Sequence, residues 1–201
     1  MSHDEIAQFT EDWSPYRDRT IVLIDFANVE KWRDSLGWRM GVRELASLVK
    51  KLSGKVELRR FYYGSDYGQN DRSDTLTPWS KAMLETAKYN GLEIVTKRTK
   101  YLHDNVTGEL KKKCDLDVEM AIDLVAFRKQ YDRIVLFSGD GDMACALKFM
   151  RNNYKKQCYV FGARDHLGKE TVDLQADSKV EKIMFAEDFE FKLSMERRAR
   201  R

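Results

Sequence analysis

Thr20-Ile-Val-Leu-Ile-Asp-Phe-Ala-Asn28 and Arg133-Ile-Val-Leu-Phe-Ser-Gly-Asp-Gly-Asp142 decide how this chain is read. Each opens with a continuous apolar, β-branched run too short for a helix and long enough for a strand buried on both faces. Each run ends on polar chemistry: Asp25 and Asn28 in the first, Ser138, Asp140 and Asp142 in the second. Open α/β sheets place their ligands at the carboxyl ends of parallel strands, so these side chains are candidates for one cleft.

The segments between the two runs supply the rest of such a sheet. Val42, Leu45, Leu48, Val49 and Leu52 recur at helical spacing before Gly54, and residues 56–63 read as a second strand. A loop over 64–77 leads to Pro78, which suits a first helical turn, and Asn90-Gly91 reads as the stop. A third strand runs from Leu92 to Lys97 or beyond, and residues 103–108 read as the turn of a hairpin arm. Leu116, Met120, Ala121, Leu124, Val125 and Phe127 form a helical stripe. After the strand at 133–138 come a helix at 143–153, a strand at 157–162, a short helix within 165–177 and a strand at 182–186. Alternating strands and helices predict an α/β fold with a central, mostly parallel sheet. Residues 1–18 read as a lead-in that Trp13 and Tyr16 could pin down, residues 19–186 as one domain, and 187–201 as a basic tail.

Lys plus Arg number 36 against 33 Asp plus Glu, a near balance that neither requires nor excludes nucleic acid. The positive charge is gathered at Lys97-Arg-Thr-Lys100, Lys111-Lys-Lys113, Lys155-Lys156 and Arg197-Arg-Ala-Arg-Arg201, as a polyphosphate substrate favours. Solvated turns and helix ends give such runs as well. Cys114, Cys145 and Cys158 form no CxxC pattern, so reduced thiols and a cytoplasmic location are expected. No apolar run approaches the roughly 18 residues that span a bilayer, and no membrane partner is expected.

The acids point to a hard divalent cation, because no Cys/His ligand set accompanies them. In Ser138-Gly-Asp-Gly-Asp142 the glycines permit a sharp turn that aims two carboxylates and the Ser138 hydroxyl at one cleft, beside a helix N-terminus. An EF-hand lacks its further ligands here. Asp25 reads either as a metal ligand or as the cap of the next helix, with Asn28 orienting a water or a phosphate oxygen. Asp115, Asp117 and Glu119 alternate at a helix start, where acids also favour the macrodipole. Asp117 is the candidate ligand, while Asp123 suits a buried anchor as well as a supporting role. Ser138 has no His partner, His3, His103 and His166 are isolated, and no GxGxxG follows the first strand. Phe61 reads as core, with Tyr63 and Tyr67 open to stacking on bases.

Taken in order, Ile24-Asp-Phe-Ala-Asn28, Lys113-Cys-Asp-Leu-Asp-Val-Glu-Met-Ala-Ile-Asp123 and Ser138-Gly-Asp-Gly-Asp142 resemble the motifs of the NYN domain family of PIN-like nucleases. Cys158-Tyr-Val-Phe-Gly162 and Leu174-Gln-Ala-Asp177 extend the resemblance over roughly residues 20–186. It implies a PIN-like three-layer fold and a Mg²⁺- or Mn²⁺-dependent ribonuclease. Asp25, Asp117, Asp140 and Asp142 match the family's acids and Asn28 its motif amide. Asp115-Leu116 stands where family members often have Gly-Val, which leaves Asp115 and Asp117 as rivals, with the six-residue step to Asp123 favouring Asp117. A PIN-like binding or regulatory module without turnover, and a metal-dependent phosphatase or nucleotide hydrolase, are the competing readings. Oligomeric state is left open, including a homo-oligomer. A haloacid-dehalogenase-like site is disfavoured because Ala27 stands where its second Asp would be.

Overall fold

In the computed structural model, residues 19–53, 58–68, 73–103, 108 and 110–195 are described. The lead-in 1–18, Gly54, Val56, the expected turn at 104–107 and the arginines at 197–201 lie outside them.

Six parallel strands form the central sheet: β1 (Thr20–Asp25), β2 (Arg59–Ser65), β3 (Glu93–Arg98), β6 (Arg133–Phe137), β7 (Gln157–Gly162) and β8 (Lys182–Phe185). Their order is β3-β2-β1-β6-β7-β8. Strand order therefore grows outward in both directions from β1 and β6, and the crevice between their carboxyl ends is the topological switch point. The register places Ile24 beside Phe137, so Asp25 and Ser138 leave the sheet side by side. A separate antiparallel hairpin, β4 (Lys100–His103) and β5 (Leu110–Lys113), follows β3.

The period of two along β1 divides two cores. Val22 and Ile24 face α1 (Phe26–Lys31), α3 (Val42–Ser53) and α4 (Pro78–Tyr89), together with Leu45, Val49, Ala87 and Phe137. Ile21 and Leu23 face α5 (Asp117–Ala126), α6 (Met143–Tyr154) and α7 (Lys169–Ala176), together with Met120, Leu124, Leu147, Val160 and Leu174. Helices on both faces of a parallel sheet make the three-layer, PIN-like α/β fold that the sequence pattern and the resemblance implied.

Two features depart from the sequence reading, and a third was left open by it. The short helices α1 and α2 (Arg33–Leu36) follow β1 directly, and Trp32 between them is fully buried. β2 runs two residues past Tyr63, because Gly64 and Ser65 pair with Lys97 and Arg98. The tail from residue 187, open in the sequence between a docked helix, a partner-binding arm and a disordered end, is packed as far as Met195. A short 3₁₀ turn, Ala186–Phe189, and α8 (Glu190–Leu193) bury Phe189 and Leu193 against the α3 face. Backbone bonds from Gly41 to Leu193 and from Met195 to Arg39 stitch this segment down. Leu193→Ala is therefore expected to cost about 2–5 kcal/mol in urea unfolding; a change below about 0.5 kcal/mol would show that the segment does not belong to the core.

Candidate metal centre

Asp25 ends β1 and caps α1: its Oδ1 accepts from Asn28 N at 3.2 Å and its Oδ2 from Ser138 Oγ at 3.0 Å. Ser138 Oγ accepts in turn from Asp140 N at 3.1 Å, and Asp140 Oδ1 accepts from Asp142 N at 3.0 Å. Asn28 Oδ1 accepts from the Trp32 indole at 2.8 Å and from Gly139 N at 2.9 Å. A buried polar atom without a partner is costly, and here each donor meets an acceptor that fixes the next residue. Asn28 thus spends its carbonyl oxygen on joining α1 to the loop after β6. Trp32 closes that link unannounced, its only signal in the sequence being an aromatic four residues beyond the motif amide.

The loop also depends on a close backbone crossing. Gly139 O accepts from Gly168 N at 2.7 Å, and a Cβ on Gly139 would lie 1.8 Å from the carbonyl oxygen of His166. Gly139→Ala must push one backbone off the other. It is expected to lower stability by roughly 1–3 kcal/mol in thermal unfolding, and an unchanged melting temperature would refute the crossing.

Asp117 comes from the start of α5, where its N–H donates to Asp115 Oδ1 at 3.1 Å. That bond holds the Asp115 carboxyl below the usual carboxylate range, with Lys113 and Lys97 helping. Asp117 shows the opposite behaviour. Burial, then the charge of Asp115, then Asp25 and Asp140 push it up to about 7. Burial also raises Asp25, against the hydrogen bonds from Asn28 and Ser138, and Asp140 adds to the rise. Asp115 accepts at the helix start, while it is Asp117 whose carboxylate lies near those of Asp140 and Asp142.

Asp117, Asp140 and Asp142 each offer one carboxylate oxygen, and the three oxygens lie within 4.8 Å of one another. Two oxygens on one hexacoordinate Mg²⁺ are at most about 4.2 Å apart, so small side-chain rotations bring this set around a common ion. All-oxygen donors with mutual repulsion fit a hard divalent cation. Asp25 stands beside this trio with each oxygen accepting one bond, and Ser138 lies between Asp25 and Asp140. Asp123 is brought elsewhere: its carboxylate accepts from Tyr62 Oη at 2.6 Å and pairs with Arg60 at 2.8 Å. Tyr63 is buried with its hydroxyl 3.1 Å from Ser80 Oγ, so its ring is not open for stacking, and Arg98 covers one face of the half-buried Tyr67 ring.

Residues 19–181 match the model of the NYN domain. The chain belongs to the NYN domain family. NYN domains are typically nuclease-like, and this one carries its acids where β1, α5 and the loop after β6 converge. It is similar to the low amplitude and bright protein LabA of Synechococcus elongatus, at 29% identity over 134 residues, 66% of this chain and 68% of that protein. A protein of unknown function from Vibrio parahaemolyticus shares the fold, with a TM-score of 0.63 and 18% identity over 86% of this chain and 94% of that one.

The raised Asp117 has a consequence for stability in this NYN domain. An acid whose folded pKa exceeds its unfolded value near 3.9 destabilises the fold progressively as pH climbs toward the folded value. Without divalent ions the melting temperature should fall as pH rises from about 4 to about 7. Asp117→Asn should flatten that dependence in calorimetry. An unaltered slope in the variant would contradict the assigned cause.

Proposed function

We propose that this protein is a Mg²⁺- or Mn²⁺-dependent ribonuclease that hydrolyses RNA phosphodiester bonds to a 5′-phosphate and a 3′-hydroxyl. The observation that carries the reading is the convergence of Asp117, Asp140 and Asp142, with Asp117 pushed up to about 7, at the switch point of a nuclease-like family's fold.

When bound, a divalent cation at such a site polarises a water and neutralises phosphate oxygens. Asp117, Asp140 and Asp142 would hold it, and their mutual repulsion favours its retention. Asp25 and Ser138 fix the Asp140 backbone, while Asn28 holds Gly139, so the carboxylates are presented in one arrangement before substrate arrives. The N-terminus of the twelve-residue helix α6 follows Asp142 and favours the negative charge of a phosphate. In the hydrolysis the water oxygen joins phosphorus, the bond from phosphorus to the 3′ oxygen breaks, and that oxygen leaves with a proton. The cysteines 114, 145 and 158 are unpaired, and no helix among the described residues is long and apolar enough to cross a membrane; we place the enzyme in the cytoplasm on the first of these observations.

The test is cleavage of end-labelled single-stranded RNA with Mn²⁺, Mg²⁺ or EDTA. Metal-dependent cutting is expected, with a loss of at least about 10- to 100-fold in Asp140→Asn, since disturbing even the partners of metal ligands costs that much. Equal inactivity of both proteins, with divalent ions still raising the melting temperature of the unaltered one alone, would replace this reading with a metal-binding module that has no turnover. Activity confined to mononucleotides would make it a nucleotide hydrolase.

A further inference from the structure

The β4–β5 hairpin carries a charge arrangement that folding alone does not explain. Register pairs Lys100 directly with Lys113, and like charges opposite each other in a sheet are destabilising. Both residues are exposed, and among the described residues neither forms an ion pair. Their neighbours are handled differently. Lys112, on the other face of the hairpin, pairs with the half-buried Asp66. Lys97, just before the hairpin, donates to Glu119 at 2.8 Å and to the Asp115 carbonyl at 3.1 Å. One set of lysines thus fastens the hairpin to the end of β2 and the start of α5, while Lys100 and Lys113 are left facing each other and solvent.

The position of this pair matters. β5 ends at Lys113, four residues before Asp117, and Lys97 ties the root of the hairpin to the first turn of the helix that carries Asp117. The Lys100–Lys113 pair is thus at the end of the hairpin nearest in sequence to Asp117. Leu102 shares the face of Lys100 and is half exposed, offering an apolar surface beside the cations.

We propose that Lys100 and Lys113 form a phosphate clamp on a docked hairpin arm, which grips the backbone of a single-stranded RNA next to the nucleotide whose phosphodiester meets the acids. The identity of the polymer rests on the ribonuclease reading. An anion between the two ammonium groups removes their repulsion, so bound RNA relieves a cost that the free protein bears. The clamp also separates a polymer from a mononucleotide, because only a polymer reaches the arm and the acids together. Phosphate recognition carries no base information, so the arm holds sequences indiscriminately.

The test compares the unaltered protein with a K100Q/K113Q double variant in EDTA, measuring the dissociation constant of a fluorescent 20-nucleotide single-stranded RNA against salt. Two lost phosphate contacts should shrink the log–log salt slope by about 1.4 and weaken binding about tenfold at low salt. The change removes the Lys100–Lys113 repulsion together with the pull of Lys113 on Asp115, so the variant should melt close to the unaltered protein, which excludes misfolding as the cause. Unchanged slope and affinity would overturn the clamp, as would poly-glutamate competing charge for charge with the RNA. Metal-dependent RNA cleavage with lysine-independent binding overturns the arm alone. Lysine-dependent binding without cleavage retains the arm and overturns the ribonuclease.

Discussion

A hydrogen bond of 3.0 Å from Ser138 Oγ to Asp25 Oδ2 joins the two strand ends on which the site is built. It exists because β1 and β6 pair in parallel with Ile24 opposite Phe137, which sets the residues just beyond them side by side. From there the order spreads by short steps. Ser138 fixes Asp140 N, Asp140 fixes Asp142 N, and Asn28 ties Gly139 to α1 through an oxygen shared with Trp32. Removing the parallel register would scatter Ser138, Gly139, Asp140 and Asp142, because these lie between β6 and α6, outside any regular element.

The arrangement works against its own charge. Asp25, Asp117 and Asp140 each lie within the field of another, and burial adds to the rise of both Asp25 and Asp117. Neutral donors answer only part of this: backbone N–H groups and the Ser138 hydroxyl meet some of the oxygens and orient them without cancelling the charge. A divalent cation does cancel it, which links the packing of the loop to the proposed chemistry. The proposed arm is the mirror image, with the cations Lys100 and Lys113 opposite each other in the hairpin register. In the proposed reading, a phosphodiester polymer bridging the two would supply negative charge to the first and, with metal, complete the second.

Much of this could be read in the sequence, and the exceptions have physical causes. Thr20–Asp25 and Gln157–Gly162 were legible to the residue because buried parallel strands are unbroken apolar runs with polar ends. The helices at Val42–Ser53 and Pro78–Tyr89 were legible from apolar spacing and from a proline at the first turn. Phe26–Lys31 was signalled only by Asp25 as a cap and Arg33–Leu36 not at all, since helices of six and four residues are too short to show a period. The packed segment after Phe185 was hidden by its position before an arginine-rich end, where Phe189 and Leu193 are isolated apolar residues among charges. In the site, the candidate acids were all visible, but their division of labour was not. Whether Asp115 braces a helix, Asp123 meets Arg60 and Tyr62, or Asn28 holds Gly139 depends on partners up to 111 residues away.

The account's central claim is that Asp117, Asp140 and Asp142 form one cation site. Anomalous diffraction from crystals soaked in Mn²⁺ tests it directly. The expected result is a peak at the carboxyl edge of β1 and β6, coordinated by oxygens of those three residues at roughly 2.1 Å. Ordered carboxylates there with no anomalous peak, at a Mn²⁺ concentration that populates sites elsewhere on the protein, would contradict it.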